Sequence, residues 1–267
     1  MAKLFRRGAI VSVRQLMCTV SFLPRPNGFY LAMNRDEKRT RSSALPPAIV
    51  DLATGRVRPT GGLTKRRAIF PREPNGGTWI STNDAGVCLA LINWHRIDRD
   101  PMQGIISRGE VVEALAGKSS TDEIAAGLTA LPLRQLRPFR LIAIISAARS
   151  IDEWRWNLET LSVRKHKWGA RHWFSSGFDE RRAESERTKF CDAADQQRSA
   201  GTLAWLRRLH RSHSPKRGPF SICMHRADAT TVSYTEVVVS GERITMRYKA
   251  GSPCSEKSTI TSTLFCL

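Results

Sequence analysis

Residues 17–40 read MCTVSFLPRPNGFYLAMNRDEKRT, and two segments of this stretch have the composition of β-strands. Residues 18–23 and 29–34 are rich in aromatic and β-branched side chains, which favour strands. The intervening PRPNG is a cluster of turn-forming residues. The stretch therefore predicts a β-hairpin.

The register of this hairpin decides which side chains meet. If the turn is centred near Pro26, paired positions sum to about 52, and Cys18 lies opposite Asn34. Asp36 then follows two positions further along, on the cysteine's face. A shift of one residue would place Arg35 on that face instead, so the two registers predict different neighbours for the thiol.

The Met-Cys pair has a chemical meaning if Met17 is the initiator. Removal of the methionine would make Cys18 the N-terminal residue, and its α-amino group, with an ordinary pKa of about 7.7 to 8.0, could act as the local base. Asp36 could orient the ammonium or the thiol, and nearby amide donors could hold an oxyanion. On this interpretation residues 1–16 are an extension, either a misassigned start or a pro-segment, and residues 17–267 form a single domain.

A structural interpretation of the same residues stays open. A lone cysteine on a strand is commonly a small buried apolar side chain. The run from Asn34 to Glu37 could equally be a strand end that continues into a polar loop.

Composition indicates a basic globular protein. A chain of 267 residues, 41% of them hydrophobic, can bury a large core. The 43 Lys and Arg residues exceed the 24 Asp and Glu residues and give a formal charge of +19, which favours anionic substrates or partners. No apolar run approaches the ~20 residues that span a bilayer, and the first 16 residues make a poor secretory signal.

The six cysteines lack the short paired spacings of zinc frameworks or small disulfide scaffolds, so we expect a reducing, cytoplasmic setting. His210, His213, Cys223 and His225 could be drawn as a metal cluster, but their spacing matches no standard site. We therefore predict structural or surface histidines and no metal.

The rest of the chain predicts strands followed by grouped helices, which indicates an α+β layered sandwich. The strand at 139–146 reads as buried, and the helix that begins at Ser120 has a capping box with Glu123. Strands are predicted at 78–82, 87–94, 139–146, in a pair within 153–168, and at 220–226, 230–239 and 242–250; helices are predicted at 106–115, after Ser120, at 179–194 and around 202–213.

Two basic stretches, residues 163–173 and 207–217, contain or adjoin tryptophans and raise the alternative of nucleic-acid binding. Helical spacing of Trp205, Leu206 and Leu209 instead predicts an amphipathic helix with a solvated basic face. We favour the helix and do not expect nucleic acid as a partner.

Several ordered motifs resemble those of the NRDE family, also called the transport and Golgi organisation 2 family. The resemblance is firm over residues 17 to about 116 and weaker at 174–177 and 223–226, and members of the family start at the Met-Cys pair. The motifs are Met17-Cys18-Thr19, Asn34-Arg35-Asp36-Glu37 with Arg41, Gly76-Gly77-Thr78-Trp79, Ala90-Leu91-Ile92-Asn93-Trp94 and Arg108-Gly109.

The resemblance implies an N-terminal-nucleophile hydrolase fold, a four-layer α-β-β-α sandwich. By similarity to bile salt and penicillin V acylases, Cys18 matches the nucleophile, Asp36 the carboxylate near its amine, and Asn93 an oxyanion-stabilising side chain. Where those amidases carry Asn in a loop resembling residues 173–180, this chain has Ser176. The substrate-binding residues implied are Asn34, Arg35, Ser176 and Arg226.

The implied activity is hydrolysis of a small non-peptide amide or related acyl compound by a cysteine nucleophile, without a cofactor. The family also suggests a non-catalytic alternative, a carrier of haem, lipid or acyl-CoA, in which haem would be a transported ligand. A basic nucleic-acid-binding protein is the third hypothesis.

Overall fold

The computed structural model of this protein describes residues 17–57, 63–97, 99–101 and 105–266. The predicted extension, residues 1–16, lies outside the described residues. No helix in the described part of the chain combines the length and apolarity needed to cross a membrane.

The described residues contain thirteen strands, four α-helices and one short 3-10 helix at Leu133–Gln135. The helices are α1 (Gly109–Leu115), α2 (Thr121–Thr129), α3 (Glu180–Asp195) and α4 (Leu203–Arg211). In chain order the strands are β1 (Met17–Arg25), β2 (Gly28–Lys38), β3 (Leu45–Val57), β4 (Leu63–Arg72), β5 (Ile80–Asn83), β6 (Val87–Asn93), β7 (Phe139–Ile145), β8 (Ser150–Trp156), β9 (Leu161–His166), β10 (Arg171–Ser176), β11 (Ala229–Ser240), β12 (Arg243–Ala250) and β13 (Thr259–Phe265).

These elements form the predicted α-β-β-α sandwich. One antiparallel sheet has the order β10-β1-β2-β11-β12-β13, and the other has the order β3-β4-β5-β6-β7-β8-β9. Apolar side chains of both sheets form the central core between them. Helices α1 and α2 cover the outer face of the second sheet, and α3 and α4 cover the outer face of the first.

Alternation along β1 assigns its side chains to two layers. Cys18, Val20 and Phe22 point into the core between the sheets. Thr19 and Ser21 point to the helical side, where Thr19 Oγ1 accepts a hydrogen bond from a side chain of α3 and Ser21 Oγ contacts one of α4. A one-residue change in register would exchange these two sets.

The predicted hairpin is present, and of the two registers left open it has the one that places Arg35 on the cysteine's face. Cys18 pairs with Arg35, not with Asn34, because Arg25 pairs directly with Gly28 across a two-residue turn. Gly28 adopts φ +141°, and a Cβ there would lie 2.0 Å from the Val239 carbonyl oxygen of β11. Close packing of the turn against β11 therefore accompanies the tighter turn.

The strand predicted at 220–226 is wrong. This segment is irregular and makes one isolated bridge, between His225 and Thr230. Its apolar residues Ile222, Cys223 and Met224 are buried because the segment packs inside the protein. Conversely, Trp173 to Ser176, which lie in the segment compared with a loop of the amidases, belong to strand β10.

Two helix predictions are confirmed in detail. Ser120 caps α2 by accepting a hydrogen bond from the Glu123 amide at 3.2 Å. In α4, Trp205, Leu206 and Leu209 are buried against the first sheet, as their spacing predicted.

Candidate functional site

A cavity of about 340 Å³ lies beside Cys18 and receives residues from the ends of several elements. Cys18 of β1, Arg35 and Asp36 of β2, and Asn93 of β6 line it together. They come from three separate parts of the sequence, and the pairing of β1 with β2 and the packing of the two sheets bring them together.

The Cys18 thiol is buried, and this burial dominates its acidity. Burial, reinforced by the negative charge of Asp36, raises the pKa of Cys18 to about 12, although the backbone N–H of Asp36 acts in the opposite direction. At neutral pH the thiol is therefore protonated and needs a base before it can attack. Among the described residues that line the cavity, none is a histidine.

Asp36 is a buried carboxylate with one incompletely satisfied oxygen. Thr231 Oγ1 donates a hydrogen bond to Oδ1 at 2.5 Å. Oδ2 lies 3.6 Å from Arg187 Nη2, beyond hydrogen-bonding distance, and has no hydrogen-bond partner in the described part of the chain. Burial raises the pKa of Asp36 to about 7, against the lowering effects of Arg187 and Thr231.

Arg187 is a residue of this region that the sequence analysis missed. Its guanidinium is fully buried and donates hydrogen bonds to Thr19 Oγ1 at 2.9 Å and to the Ser221 carbonyl at 2.9 Å. A signal was present, since Arg187 lies on the face of α3 that carries Ala183 and Cys191, both buried. A charged residue on an apolar helical stripe indicates a buried ion pair.

The residue that faces Cys18 from β10 is Ser175, not Ser176. Cys18 pairs with Ser175, and the Ser175 hydroxyl is buried without a hydrogen-bond partner among the described residues. Ser176 is on the other face, where it donates to Met17 Sδ at 3.0 Å and accepts from the Phe178 and Asp179 amides. Neither serine is among the described residues that line the cavity.

Arg35 connects two of the sequence motifs. Its guanidinium lies 4.2 Å from the ring centroid of Trp79 and forms ion pairs with Glu37 and Glu73. The more exposed Arg41 approaches Glu73 to 3.5 Å. The two arginines and the two glutamates thus largely balance one another's charge. Glu73 belongs to none of the motifs in the sequence.

The glycines of two motifs allow the rim of the cavity to form. Gly77 adopts φ +80°, and a Cβ there would lie 2.9 Å from the Gly109 carbonyl carbon. The Thr78 amide donates to the Gly109 carbonyl at 3.0 Å. Only residues without side chains allow this approach, which places the start of α1 against the segment before β5.

Two other predicted residues do not line the cavity. Asn34 Nδ2 donates to the His210 and Ile222 carbonyls, both at 2.9 Å, so its side chain ties β2 to the helical layer. Arg226 pairs with Asp228 at 2.9 Å and lies over the Phe178 ring. The structure therefore groups Cys18, Arg35, Asp36 and Asn93, and separates Asn34, Ser176 and Arg226 from them.

The raised pKa of Asp36 predicts a pH-dependent stability. In the unfolded chain this carboxyl ionises near its ordinary pKa of about 4, whereas in the folded chain it stays protonated up to about pH 7. The folded state then binds the extra proton, so the free energy of unfolding falls as pH rises from 4 to 7, by up to about 1.4 kcal/mol per unit. Asn cannot titrate, so the free energy of unfolding of Asp36→Asn should not show this fall. The difference between the variant and wild type should therefore increase by about 2 kcal/mol, in favour of the variant, from pH 5 to pH 7.5.

Denaturant unfolding at the two pH values measures this difference. Asp179→Asn is the matched control, because it removes an exposed carboxylate and leaves a residue that caps α3 equally well. Its difference from wild type should be the same at both pH values. An Asp36→Asn difference that is also constant would contradict a titrating Asp36.

Comparisons with known proteins agree with this fold. Two solved structures, a cysteine-to-alanine mutant and an arginine-to-leucine variant of conjugated bile acid hydrolase from Clostridium perfringens, align with TM-scores of 0.54 and 0.53 at 10% identity. The alignments cover 92% and 93% of this chain, and 92% and 97% of those chains. Penicillin V acylase from Agrobacterium tumefaciens aligns with a TM-score of 0.49 at 9% identity, and the alignment covers 87% of this chain and 82% of that chain.

Curated protein sequences include no significant match. The sequence profile of the family described as Transport and Golgi organisation 2 matches residues 17–209, which is most of the chain. The chain therefore belongs to the Transport and Golgi organisation 2 family, the NRDE family of the motif analysis, and has the fold of the N-terminal-nucleophile hydrolases.

Proposed function

We propose that this protein hydrolyses the C–N bond of a small non-peptide amide, with Cys18 as an N-terminal nucleophile. The observation that supports this proposal is that Cys18, Asp36 and Asn93, which come from three strands, line one cavity. A thiol, a carboxylate and a neutral amide donor are the groups that such acyl transfer uses.

In the proposed reaction the α-amine of a mature Cys18 takes the thiol proton, and the thiolate attacks the carbonyl carbon. The side-chain amide of Asn93 and backbone N–H groups stabilise the oxyanion. The C–N bond breaks, the amine leaves with the proton from the α-ammonium, and a thioester on Cys18 remains. Water, deprotonated by the α-amine, then releases the acid and restores the thiol.

Asp36 has an orienting role in this proposal. Its Oδ2 is buried and without a hydrogen-bond partner among the described residues, so it is the oxygen left to accept a hydrogen bond from an ammonium group. An ammonium group beside Asp36 would favour the ionised carboxylate and so lower its pKa. Arg187 already lies 3.6 Å from Oδ2 as a charge partner, so removal of Met17 would supply the hydrogen-bond donor that this oxygen lacks.

The cavity supports a small substrate with an apolar part and an anionic group. A volume of about 340 Å³ lies at the lower end of the range for small-molecule sites. Leu91, Ile105 and Ile106 supply an apolar wall. Arg41 and Arg137 pair with Glu73 and Asp100 but remain partly exposed, so an anionic group could still reach their guanidinium groups. The six free cysteines are consistent with the reducing, cytoplasmic setting that we propose for this reaction.

Acid-quenched mass spectrometry tests the proposal. Protein mixed with a panel of small amides should gain the mass of the acyl group, and peptide mapping should place the adduct on Cys18, because the thioester is an obligatory intermediate. Acyl-CoA and haem are included as binding controls. Stoichiometric haem or acyl-CoA binding, with no Cys18 adduct from any amide, would replace the hydrolase by a carrier.

A further inference from the structure

A second group of chemically active side chains lies outside the cavity beside Cys18. His213 follows α4, Cys223 and His225 lie in the irregular segment before β11, and Cys254 follows β12. One ligand atom from each residue can be chosen so that all four lie within 4.8 Å of one another. Two sulfurs and two imidazole nitrogens thus converge from three segments of the chain.

The distances match a tetrahedral metal site. His225 Nε2 lies 3.4 Å from Cys223 Sγ and 3.4 Å from Cys254 Sγ. Zinc bonds of about 2.3 Å to sulfur and about 2.1 Å to nitrogen, at tetrahedral angles, separate a sulfur from a nitrogen by about 3.6 Å. The sulfurs therefore already stand close to the positions that a shared ion requires.

Hydrogen bonding within the group leaves its members unsatisfied. One imidazole nitrogen has a single lone pair or a single proton, so His225 Nε2 forms one good hydrogen bond and not two with the neighbouring sulfurs. Nε2 of His213 is buried and has no hydrogen-bond partner in the described part of the chain. A metal ion bound by these atoms would satisfy all of them at once.

We infer that His213, Cys223, His225 and Cys254 form a Cys₂His₂ site for Zn²⁺. Two thiolates and two neutral imidazoles give a set whose charge balances the dication, and soft sulfur ligands with imidazoles select zinc over hard cations. The site is separate from the proposed hydrolysis and does not depend on it.

The surroundings of His225 fit this assignment. Its other ring nitrogen, Nδ1, lies 3.3 Å from Thr230 Oγ1 and 3.3 Å from Arg217 Nη2. Zinc on Nε2 requires a proton on Nδ1, which Thr230 Oγ1 can accept, as second-shell groups commonly do. Arg217 is exposed and can turn to solvent.

A cavity of about 630 Å³ gives an ion access, since His213, His225 and Cys254 line it. The site would also hold together the segments that surround Asp36. Between Cys223 and His225, Met224 packs against Met17, and the Met224 amide donates to Thr231 Oγ1, which itself donates to Asp36. A structural zinc here would therefore stabilise the support of the Asp36 carboxylate.

The prediction of no metal rested on spacing, and this proposal replaces it. Nine residues separate His213 from Cys223, and 28 separate His225 from Cys254, so only Cys223 and His225 are close in sequence. His210, which the sequence analysis considered with this group, contacts Ser21 and Asn34 instead. Only the fold identifies Cys254 as the fourth ligand.

Metal analysis of the reduced full-length protein tests this site. We expect about one equivalent of bound Zn²⁺ per chain, and Co²⁺ in its place should give the visible absorption of a tetrahedral ion with thiolate charge-transfer bands. His213→Ala and Cys254→Ser should each lower zinc affinity at least about 100-fold, since even second-shell changes cost 10- to 100-fold. Both side chains are only half-buried, so these variants should fold, which circular dichroism checks.

Cys266→Ser is the matched control, because Cys266 is a half-buried cysteine outside the group, and it should bind zinc like wild type. Absence of zinc from the reduced protein would overturn the site, as would equal loss in the control. A Co²⁺ spectrum without thiolate bands would also overturn it, whatever the variants do.

Discussion

Replacing Cys18 with alanine should reduce the turnover of an amide substrate by a factor of about 10⁴ or more, the scale seen when a covalent nucleophile is deleted. The reason is that the alanine variant cannot form the thioester. Substrate binding should persist, because Arg35, Trp79 and the apolar wall of the cavity are unchanged. Steady-state kinetics and calorimetric titration measure the two effects separately.

Cys88→Ala is the matched control for this variant. Cys88 is a fully buried cysteine of the same central core, but it does not line the cavity among the described residues. Its replacement should lower stability through lost packing and leave the turnover per folded molecule unchanged. Equal turnover of wild type and Cys18→Ala would contradict the role of Cys18 as nucleophile. If wild type and Cys18→Ala also bound haem or acyl-CoA equally well, the carrier would be favoured.

A blocked N-terminus should have the second-largest effect. If residues 1–17 remain attached, Cys18 has no free α-amine to act as a base. The Cys18 thiol, with a pKa of about 12, then stays protonated at neutral pH. We expect the chain that begins at Cys18 to be 10²- to 10⁴-fold more active than the uncleaved chain, about the contribution of a general base. Intact-mass measurement on the active protein identifies which form is present.

The pH profile separates this base from Asp36. A free α-amine with a pKa of about 7.7 to 8.0 should make the rate rise up to about pH 8, since only the neutral amine accepts a proton. Asp36→Asn in the chain that begins at Cys18 should lower the rate and keep that rise. Full activity of a chain that retains residues 1–17 would rule out the N-terminal-nucleophile mechanism.

Several elements of this protein can be predicted from short stretches of its sequence. The hairpin at residues 17–40 followed from strand-forming segments around a turn cluster, and the α4 stripe followed from helical spacing. Serine and glutamate three residues apart predicted the start of α2. Each signal lies within a few residues of sequence, where backbone preferences and side-chain periodicity act. The resemblance of short motifs added the fold and the grouping of Cys18, Asp36 and Asn93.

Other features depend on contacts between distant segments. The observed register has a two-residue turn packed closely against β11, and it puts Arg35 rather than Asp36 on the cysteine's face. Likewise, the pairing of β1 with β10 places Ser175, and not Ser176, opposite Cys18. A one-residue shift reverses every side chain of a strand, so composition alone cannot distinguish the two faces.

Strand and helix signals, amphipathic faces and the family motifs can all be read from the order of the residues. Folding brings together the groups that share a desolvated space, such as Arg187 beside Asp36 and Cys254 beside His225. The physical reason is that burial and pairwise distance control acidity, ion pairing and metal binding, and both are properties of the packed chain. Residues 151 positions apart in sequence, Asp36 and Arg187, therefore form one electrostatic unit only after folding.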